Sequence, residues 1–327
     1  MPKYSQKSII GKVEKTIAEN GLILPNEKII VALSGGPDSM ALLKILQILS
    51  SKFNFQVLAA HFNHHMRGEE SNLDLKFLEN FCQREGIELA ASETALGVKL
   101  KSEDEAREHR YRFFEKILEE ERGDKIAIAH QLNDFAETTL LRLVRGSGLS
   151  GARSIPLRRG KIIRPLLQIT REEVMEFIKS EEIPYLTDQT NFDQNILRNK
   201  IRLETLPHLK SINPNILEAL TNFSLTVNDD YDCLRCLALK KLEEISDKKT
   251  EKAVIIDRNE WLTLHPALAR LTLRLAMEEI CGLKNITLSQ LEEVILMIKK
   301  GVGKKKKVLP HSLQIELLNG KIVLNNK

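Results

Sequence analysis

From Lys28 to His130, short β-branched or apolar runs alternate with stretches of helical period, and few folds accommodate that rhythm. Lys28–Leu33, Gln56–Phe62, Ile87–Ala91 and Lys125–His130 predict strands. Ser39–Ser51, Ser71–Gly86, Ser102–Arg122 and Asn133–Arg145 predict helices between and after them. A strand followed by a crossover helix returns to the same edge of the sheet, so its successor runs parallel to it and helices cover both faces. The expected fold class is α/β, a doubly wound parallel sheet, in which ligands bind beyond the carboxyl ends of the strands. Functional side chains are therefore expected just after each predicted strand.

At 327 residues the chain is long enough for two domains. Around Asn213-Pro214 the rhythm gives way to long helical stretches, Ile216–Ser246, Pro266–Cys281 and Ser289–Lys299. This predicts a boundary near residue 212, with the sheet in residues 1–212 and a second, mainly helical domain in residues 213–327. Asn319-Gly320, between the apolar runs Leu313–Leu318 and Lys321–Leu324, predicts a terminal β-hairpin with a type I′ turn. Gly146–Pro165, rich in Gly, Ser, Arg and Pro, follows neither period and predicts a functional loop. Thr170, three residues before Glu173, has the spacing of a capping box for a helix to Glu182.

Apolar residues at 42% and charged residues at 29% place the chain among soluble globular proteins. No apolar run approaches the ~18 residues of a membrane span, and the amino terminus lacks the pattern of a secretory signal. A cytoplasmic protein without a membrane partner is expected. In that compartment Cys82, Cys233, Cys236 and Cys281 are ordinary thiols. Cys233-Leu234-Arg235-Cys236 has metal-ligand spacing, but it lies in a helical pattern and no second ligand pair accompanies it.

Ser34-Gly35-Gly36-Pro37-Asp38-Ser39 joins the first predicted strand to the helix that follows it. Backbone N–H groups at a glycine-rich turn and a helix amino terminus bind phosphate oxygens, and the helix dipole reinforces them. The GxxxxGK[ST] pattern is absent, so the loop lacks the lysine that grips a transferring γ-phosphate and suits a departing pyrophosphate instead. Asp38 is a candidate ligand for Mg²⁺ against that group. His61-Phe62-Asn63-His64-His65-Met66-Arg67 follows the second strand; no cysteine or carboxylate pair completes a zinc set there, so it reads as a nucleotide-contacting loop. Arg107 and Arg110 are three apart in a predicted helix and share a face, which fits either a solvated basic face or a site. His130 directly follows the fourth strand, and beyond it Asp134 and Glu137 share a helix face at the sheet's carboxyl edge. Two carboxylates there are either partners of the helix dipole or a site for an ammonium or Mg²⁺.

The SGGPDS motif resembles the signature of the PP-loop ATP pyrophosphatases, a Rossmann-like superfamily. That resemblance implies attack on the α-phosphorus of ATP, an adenylated intermediate and release of pyrophosphate. With HFNHHMR, ARxxRY, AHxxNDxxET, and Asp188-Gln189-Thr190-Asn191 together with Arg198-Asn199-Lys200-Ile201-Arg202, the stretch from Lys28 to Pro207 looks like the tRNA(Ile)-lysidine synthetase branch. The branch implies a ligase that joins free lysine to the wobble cytidine of the CAU-anticodon tRNA(Ile), with ATP as co-substrate and Mg²⁺ as cofactor. On this resemblance Ser34, Gly35, Gly36, Pro37, Asp38, Ser39 and His61 bind ATP. Arg107, His130, Asp134 and Arg198 surround the adenylated base, Glu137 joins Asp134 near lysine, and Asp38 and Asp134 are the metal candidates. The length matches the family's compact form, the second domain is expected to recognise tRNA, and a homodimer is compatible with the pattern.

A tRNA thiolation enzyme generally needs paired cysteines beside the ATP site, and only Cys82 lies in that region. An amidating relative needs an ammonia source, and a non-catalytic tRNA-binding module has no use for an intact SGGPDS. The net charge of +4 is modest, but Thr138–Arg171 contains seven arginines, one lysine and no acidic residue, which suits a polyanion. Lys304–Lys307 is a second, weaker candidate for phosphate contact.

Overall fold

A computed structural model describes residues 8–63, 69–93, 103–146, 148–153, 155–187, 196–250, 253–282, 286–301 and 306–326. The chain divides into two units, Met1–Leu225 and Thr226–Lys327.

In the first unit β1 (Lys28–Ala32), β2 (Gln56–Asn63), β3 (Glu88–Glu93), β4 (Lys125–Ala127), β5 (Arg158–Arg159) and β6 (Ile162–Ile163) form one sheet of order β3-β2-β1-β4-β6-β5. All neighbours are parallel except β5 and β6. Its helices are α1 (Ile9–Glu19), α2 (Pro37–Phe53), α3 (Glu69–Glu85), α4 (Glu103–Glu120), α5 (Leu132–Val144), α6 (Leu149–Ala152), α7 (Arg171–Ser180), α8 (Leu197–Lys200) and α9 (Leu206–Ile212). Successive side chains of a strand point to opposite faces, and β1 shows why this sequence makes three layers. Ile29 and Val31 pack into a core with α1, α2 and α7, whereas Ile30 packs with Leu58, Ile126 and the α4 residues Phe113 and Phe114. All three β1 residues are fully buried, each contributing about 1.5–3 kcal/mol of burial free energy.

The structure departs from the predicted elements of this unit at the fourth strand and within Gly146–Pro165. The fourth strand ends at Ala127 rather than His130, so Ile128–His130 leads out of the sheet and into α5. Gly146–Pro165, expected to be irregular, contains α6, β5 and β6, with Ile162 beside Ile126 of β4. Strands of two residues are too short to display a period, so composition concealed them. The first helix is held by Ser8, whose hydroxyl accepts from the Gly11 N–H at 3.2 Å, and by burial of Ile10, Val13 and Ile17.

The division falls inside α10 (Ile216–Ile245) rather than at Asn213-Pro214. Leu217 and Leu220 pack with Ala136 of α5 and Leu206, and the buried Ser224 and Thr139 hydroxyls lie 3.0 Å apart. The second unit adds β7 (Ser246–Thr250), β8 (Ala253–Asp257), α11 (Arg258–Thr263), α12 (Pro266–Cys281), α13 (Leu288–Lys300), β9 (Lys306–Val308), β10 (Leu313–Leu318) and β11 (Lys321–Asn326). The expected hairpin is β10 and β11, and Asn319 and Gly320 both take positive φ as a type I′ turn requires. It belongs to a five-stranded antiparallel sheet of order β7-β8-β11-β10-β9 that the helical rhythm did not reveal. Val254, Ile256, Leu313, Ile315, Ile322 and Leu324 alternate inward from it onto α12 and α13. Among the described residues no helix is long and apolar enough to cross a membrane.

Candidate active site

The chain passes from β1 to β2 on one side and only later to β4 on the other, so the loops leaving β1 and β4 diverge and a crevice opens between them. That crevice holds about 350 Å³ and is lined by Ser34, Gly36, Asp38, His61, Tyr111 and His130, with Ala32, Ala60, Phe62, Phe114 and Ile128 supplying apolar wall. Apolar walls with a few polar groups at one end suit a flat base carrying phosphates.

The loop after β1 is shaped from within. Gly35 has φ +84°, a backbone that favours glycine, and a side chain there would collide with Leu186, its Cβ 2.6 Å from Leu186 Cδ1. The Leu186 N–H also donates to the Gly35 carbonyl at 2.9 Å. Ser39 is buried; its hydroxyl donates to the Gly36 carbonyl at 2.9 Å and accepts from the Ser34 N–H at 3.2 Å. Gly36 is the N-cap of α2 and offers no side chain to cap it, while Pro37 at the first helical position starts the helix. The positive end of the α2 dipole therefore faces the crevice. Pro37 acts through backbone geometry and Ser39 through loop shape, leaving Ser34 the exposed hydroxyl of the loop.

His61, on β2, is buried with Nδ1 2.8 Å from the Leu33 carbonyl. A carbonyl only accepts, so Nδ1 carries the proton and ties the mouth of the loop to the neighbouring strand. Burial pushes the His61 pKa below its ordinary value, which keeps the ring neutral. Asp38 accepts from Gln131 Nε2 at 3.0 Å. Its carboxyl is pushed up to about 6 by burial and then by the charge of Asp134, against the opposing pull of Arg171, Arg202 and the Gln131 hydrogen bond. A carboxylate raised by burial and a like charge is relieved by a cation, so Asp38 would be suited to hold Mg²⁺, which would supply charge neutralisation there.

The start of α5 supplies the acids. Asp134 accepts from the Gln131 N–H at 3.1 Å and from Arg198 Nη2 at 2.8 Å. Glu137 accepts from Arg198 Nε at 2.9 Å, and Arg202 meets both its oxygens through Nε at 2.6 Å and Nη2 at 2.9 Å. The Arg202 pKa is raised first by its hydrogen bond to Glu137. Arg198 and Arg202 are four apart across the junction of α8 with the π-helical turn Ile201–Thr205, so they share a face toward α5. The expected carboxylate pair is thus already met by two guanidinia. The Glu137 side chain is 2% exposed and that of Asp134 15%, so Asp134 is the one more open to a ligand.

Asp38, His130, Asp134, Glu137 and Arg198 are thus brought together beside the SGGPDS loop. Arg107 lies on α4 in a stretch whose side chains fall outside the described residues, as do His64–Arg67 and Asp188–Asn191. Two further residues join the site: Gln131, whose side chain meets Asp38 and whose N–H meets Asp134, and Arg202, for which the four-residue spacing from Arg198 is the sequence signal. Leu186 gave no signal, because its contact spans more than a hundred residues. Of the basic stretch, Arg145, Arg158, Arg159 and Lys161 are exposed, whereas Arg142 donates to the Arg153 carbonyl and Arg164 is buried beside His130. In the second unit Lys306 pairs with Glu316 at 3.0 Å and Lys307 with Glu293, so the two described lysines of that run already have acidic partners.

A family model described as a PP-loop domain matches residues 6–209. The chain is 36% identical to the tRNA(Ile)-lysidine synthase of Clostridium acetobutylicum over 98% of its own length and 70% of that protein's. It is 33% identical to the enzyme of the same name from Clostridioides difficile, over 98% and 71% respectively. Among solved structures, the U34-tRNA thiolase NcsA from Methanococcus maripaludis superposes with a TM-score of 0.57 at 20% identity, covering 67% of this chain and 77% of that one, a likeness of fold. With its PP-loop crevice and its similarity to these synthases along nearly all of its length, the chain belongs to the tRNA(Ile)-lysidine synthase family.

Proposed function

We propose that the crevice adenylates the wobble cytidine of a CAU-anticodon tRNA(Ile) and that free lysine then displaces AMP. The base carbonyl oxygen attacks the α-phosphorus of ATP and pyrophosphate leaves; the lysine ε-amine forms the new carbon–nitrogen bond as the carbon–oxygen bond to AMP breaks. The product reads AUA instead of AUG, with isoleucine rather than methionine identity. The observation that carries this reading is the pairing of a lysine-free phosphate cradle with the Asp134 carboxylate at the adjoining strand end. The cradle holds the departing pyrophosphate by backbone N–H groups and the α2 dipole. Asp38 would hold Mg²⁺, which supplies charge neutralisation there. Asp134 receives the amine, and Glu137 positions the two arginines. No protein nucleophile is required, and catalysis rests on orientation and on fixed charges.

Sulfur transfer finds no support in Cys82, which is in the hydrophobic core with its thiol pushed up to about 11 by burial and then by Glu85. Cys233 and Cys236 belong to the second unit. The test is ATP–pyrophosphate turnover with bulk tRNA while radiolabelled lysine, sulfide and ammonia are offered in parallel. Lysine label is expected in the RNA; sulfide or ammonia label would assign another branch.

The exposed basic edge of the sheet makes a further prediction. A charged edge strand resists pairing with other chains, and Arg158, Arg159 and Lys161 there remain open to phosphate. Replacing these three by alanine is expected to flatten the plot of log tRNA affinity against log salt by ~2–3 units, at about 0.7–0.9 per lost contact. ATP affinity should hardly move. An unchanged slope in a folded variant returns this edge to plain solvation.

A further inference from the structure

Arg164 follows β6, on the same sheet edge as His130, and with 3% exposure it is a buried guanidinium. Its Nε donates to His130 Nδ1 at 3.0 Å, and its Nη1 donates to the Pro156 carbonyl at 2.8 Å. Backbone bonds fix it further: the Arg164 N–H donates to the Leu157 carbonyl at 2.9 Å, and the Leu167 N–H to the Arg164 carbonyl at 3.2 Å. A guanidinium has five donors and no acceptor. Nδ1 of His130 is therefore the accepting nitrogen, and the proton of the neutral ring sits on Nε2. Protonating Nδ1 as well would remove the acceptor and set two cations side by side.

We infer that Arg164 is a positioning residue that locks His130 as a neutral hydrogen-bond donor toward the crevice, so that His130 stabilises phosphate charge and takes no part as a general base. The inference rests on the proposed function only in taking the crevice as the nucleotide site. Within an acid-free run whose arginines suit phosphate, Arg164 has a different use: its charge is spent inside, on the orientation of a ring that lines the site. The inserted β6 explains why it is available, because parallel pairing with β4 carries residue 164 to the carboxyl edge where His130 emerges.

Two variants separate this role from a structural one. Glutamine places its Nε2 where arginine has Nε, so Arg164→Gln keeps the donor to His130 and loses the Pro156 contact. Arg164→Met has a methyl group at that position and loses both. The expected result is that kcat for tRNA-dependent pyrophosphate release falls about 10–100-fold in Arg164→Met, the range for partners that orient a site residue. KM for ATP should stay within about twofold, and Arg164→Gln should keep kcat within about threefold of the parent. In a His130→Ala background the Met substitution should cost nothing more in kcat, since residues acting through one another are non-additive. Equal losses in Gln and Met, or additive losses with His130→Ala, would overturn the inference. The tautomer is read independently of turnover and of any Arg164 variant by ¹⁵N resonances of histidine-labelled protein, with His130 assigned by its absence in His130→Ala. An acceptor-type Nδ1 and a protonated Nε2 are expected; a protonated Nδ1 overturns the inference even if the enzyme turns over lysine as proposed, and absent turnover with the expected tautomer counts against the functional reading alone.

Discussion

Asp38→Asn is expected to slow tRNA-dependent pyrophosphate release by about 10²–10³-fold while making the protein more stable at neutral pH. The loss of activity follows from the place of this carboxyl at the phosphate cradle, where removal of one preorganised electrostatic group costs about 10²–10³ in kcat. The gain in stability follows from its titration. The folded-state pKa is raised to about 6 from an ordinary 3.8, by burial first and Asp134 second. Below about pH 4 the group is neutral in both folded and unfolded chains and contributes nothing. Between about pH 4 and 6 the unfolded chain ionises while the folded chain resists, so stability is lost as pH rises, and above that window the penalty is fully present. Asparagine carries no such penalty. The favourable α2 dipole at this first-turn position offsets part of it, leaving an expected gain of about 1–2 kcal/mol at pH 7–8, or ~2–6 °C in Tm for a unit of this size. Calorimetry without ATP or Mg²⁺ should show that gain at pH 7.5 and none at pH 4. A variant destabilised equally at both would make Asp38 a structural cap.

Glu137→Ala is expected to destabilise the first unit by about 2–4 kcal/mol, because it strips a buried carboxylate from two guanidinia and leaves Asp134 as their acidic partner among the described residues. Removing one partner of a buried pair costs about 3–5 kcal/mol, and the figure is lower here because the Arg198 and Arg202 side chains are 32% and 23% exposed and reach water. Glu137→Gln keeps the shape and one accepting oxygen, so it should lose less stability, yet it should impair lysine transfer because the arginines lose their anchor. Denaturant titration and single-turnover transfer from a preformed adenylated RNA measure the two effects separately. Alanine behaving like the parent in stability would show that Asp134 alone holds both arginines.

The candidate site was legible wherever its parts are local. A strand, a turn of small residues and a helix start within about twelve residues of one another, so SGGPDS announces its own geometry. Asp134 and Glu137 were legible for the same reason, since one helix turn places them together. The arginines that meet them were half legible: Arg198 came with its motif, while Arg202 needed the direction of α8 and its π turn relative to α5. In the second unit the Asn319-Gly320 turn was evident because both residues tolerate positive φ, whereas the pairing of β8 with β11 joins Asp257 to Lys321, positions too far apart for any local window.

The α/β class and the strand-turn-helix geometry of SGGPDS follow from period and propensity over neighbouring residues. Long-range packing sets the rest: Arg164 turns inward to His130 while Arg158 and Arg159 face solvent, Leu186 sits on Gly35, and Glu137 is buried between two arginines. These contacts join positions far apart in the chain, and the free energy that selects them lies in burial and in pairing of charges that no local window contains.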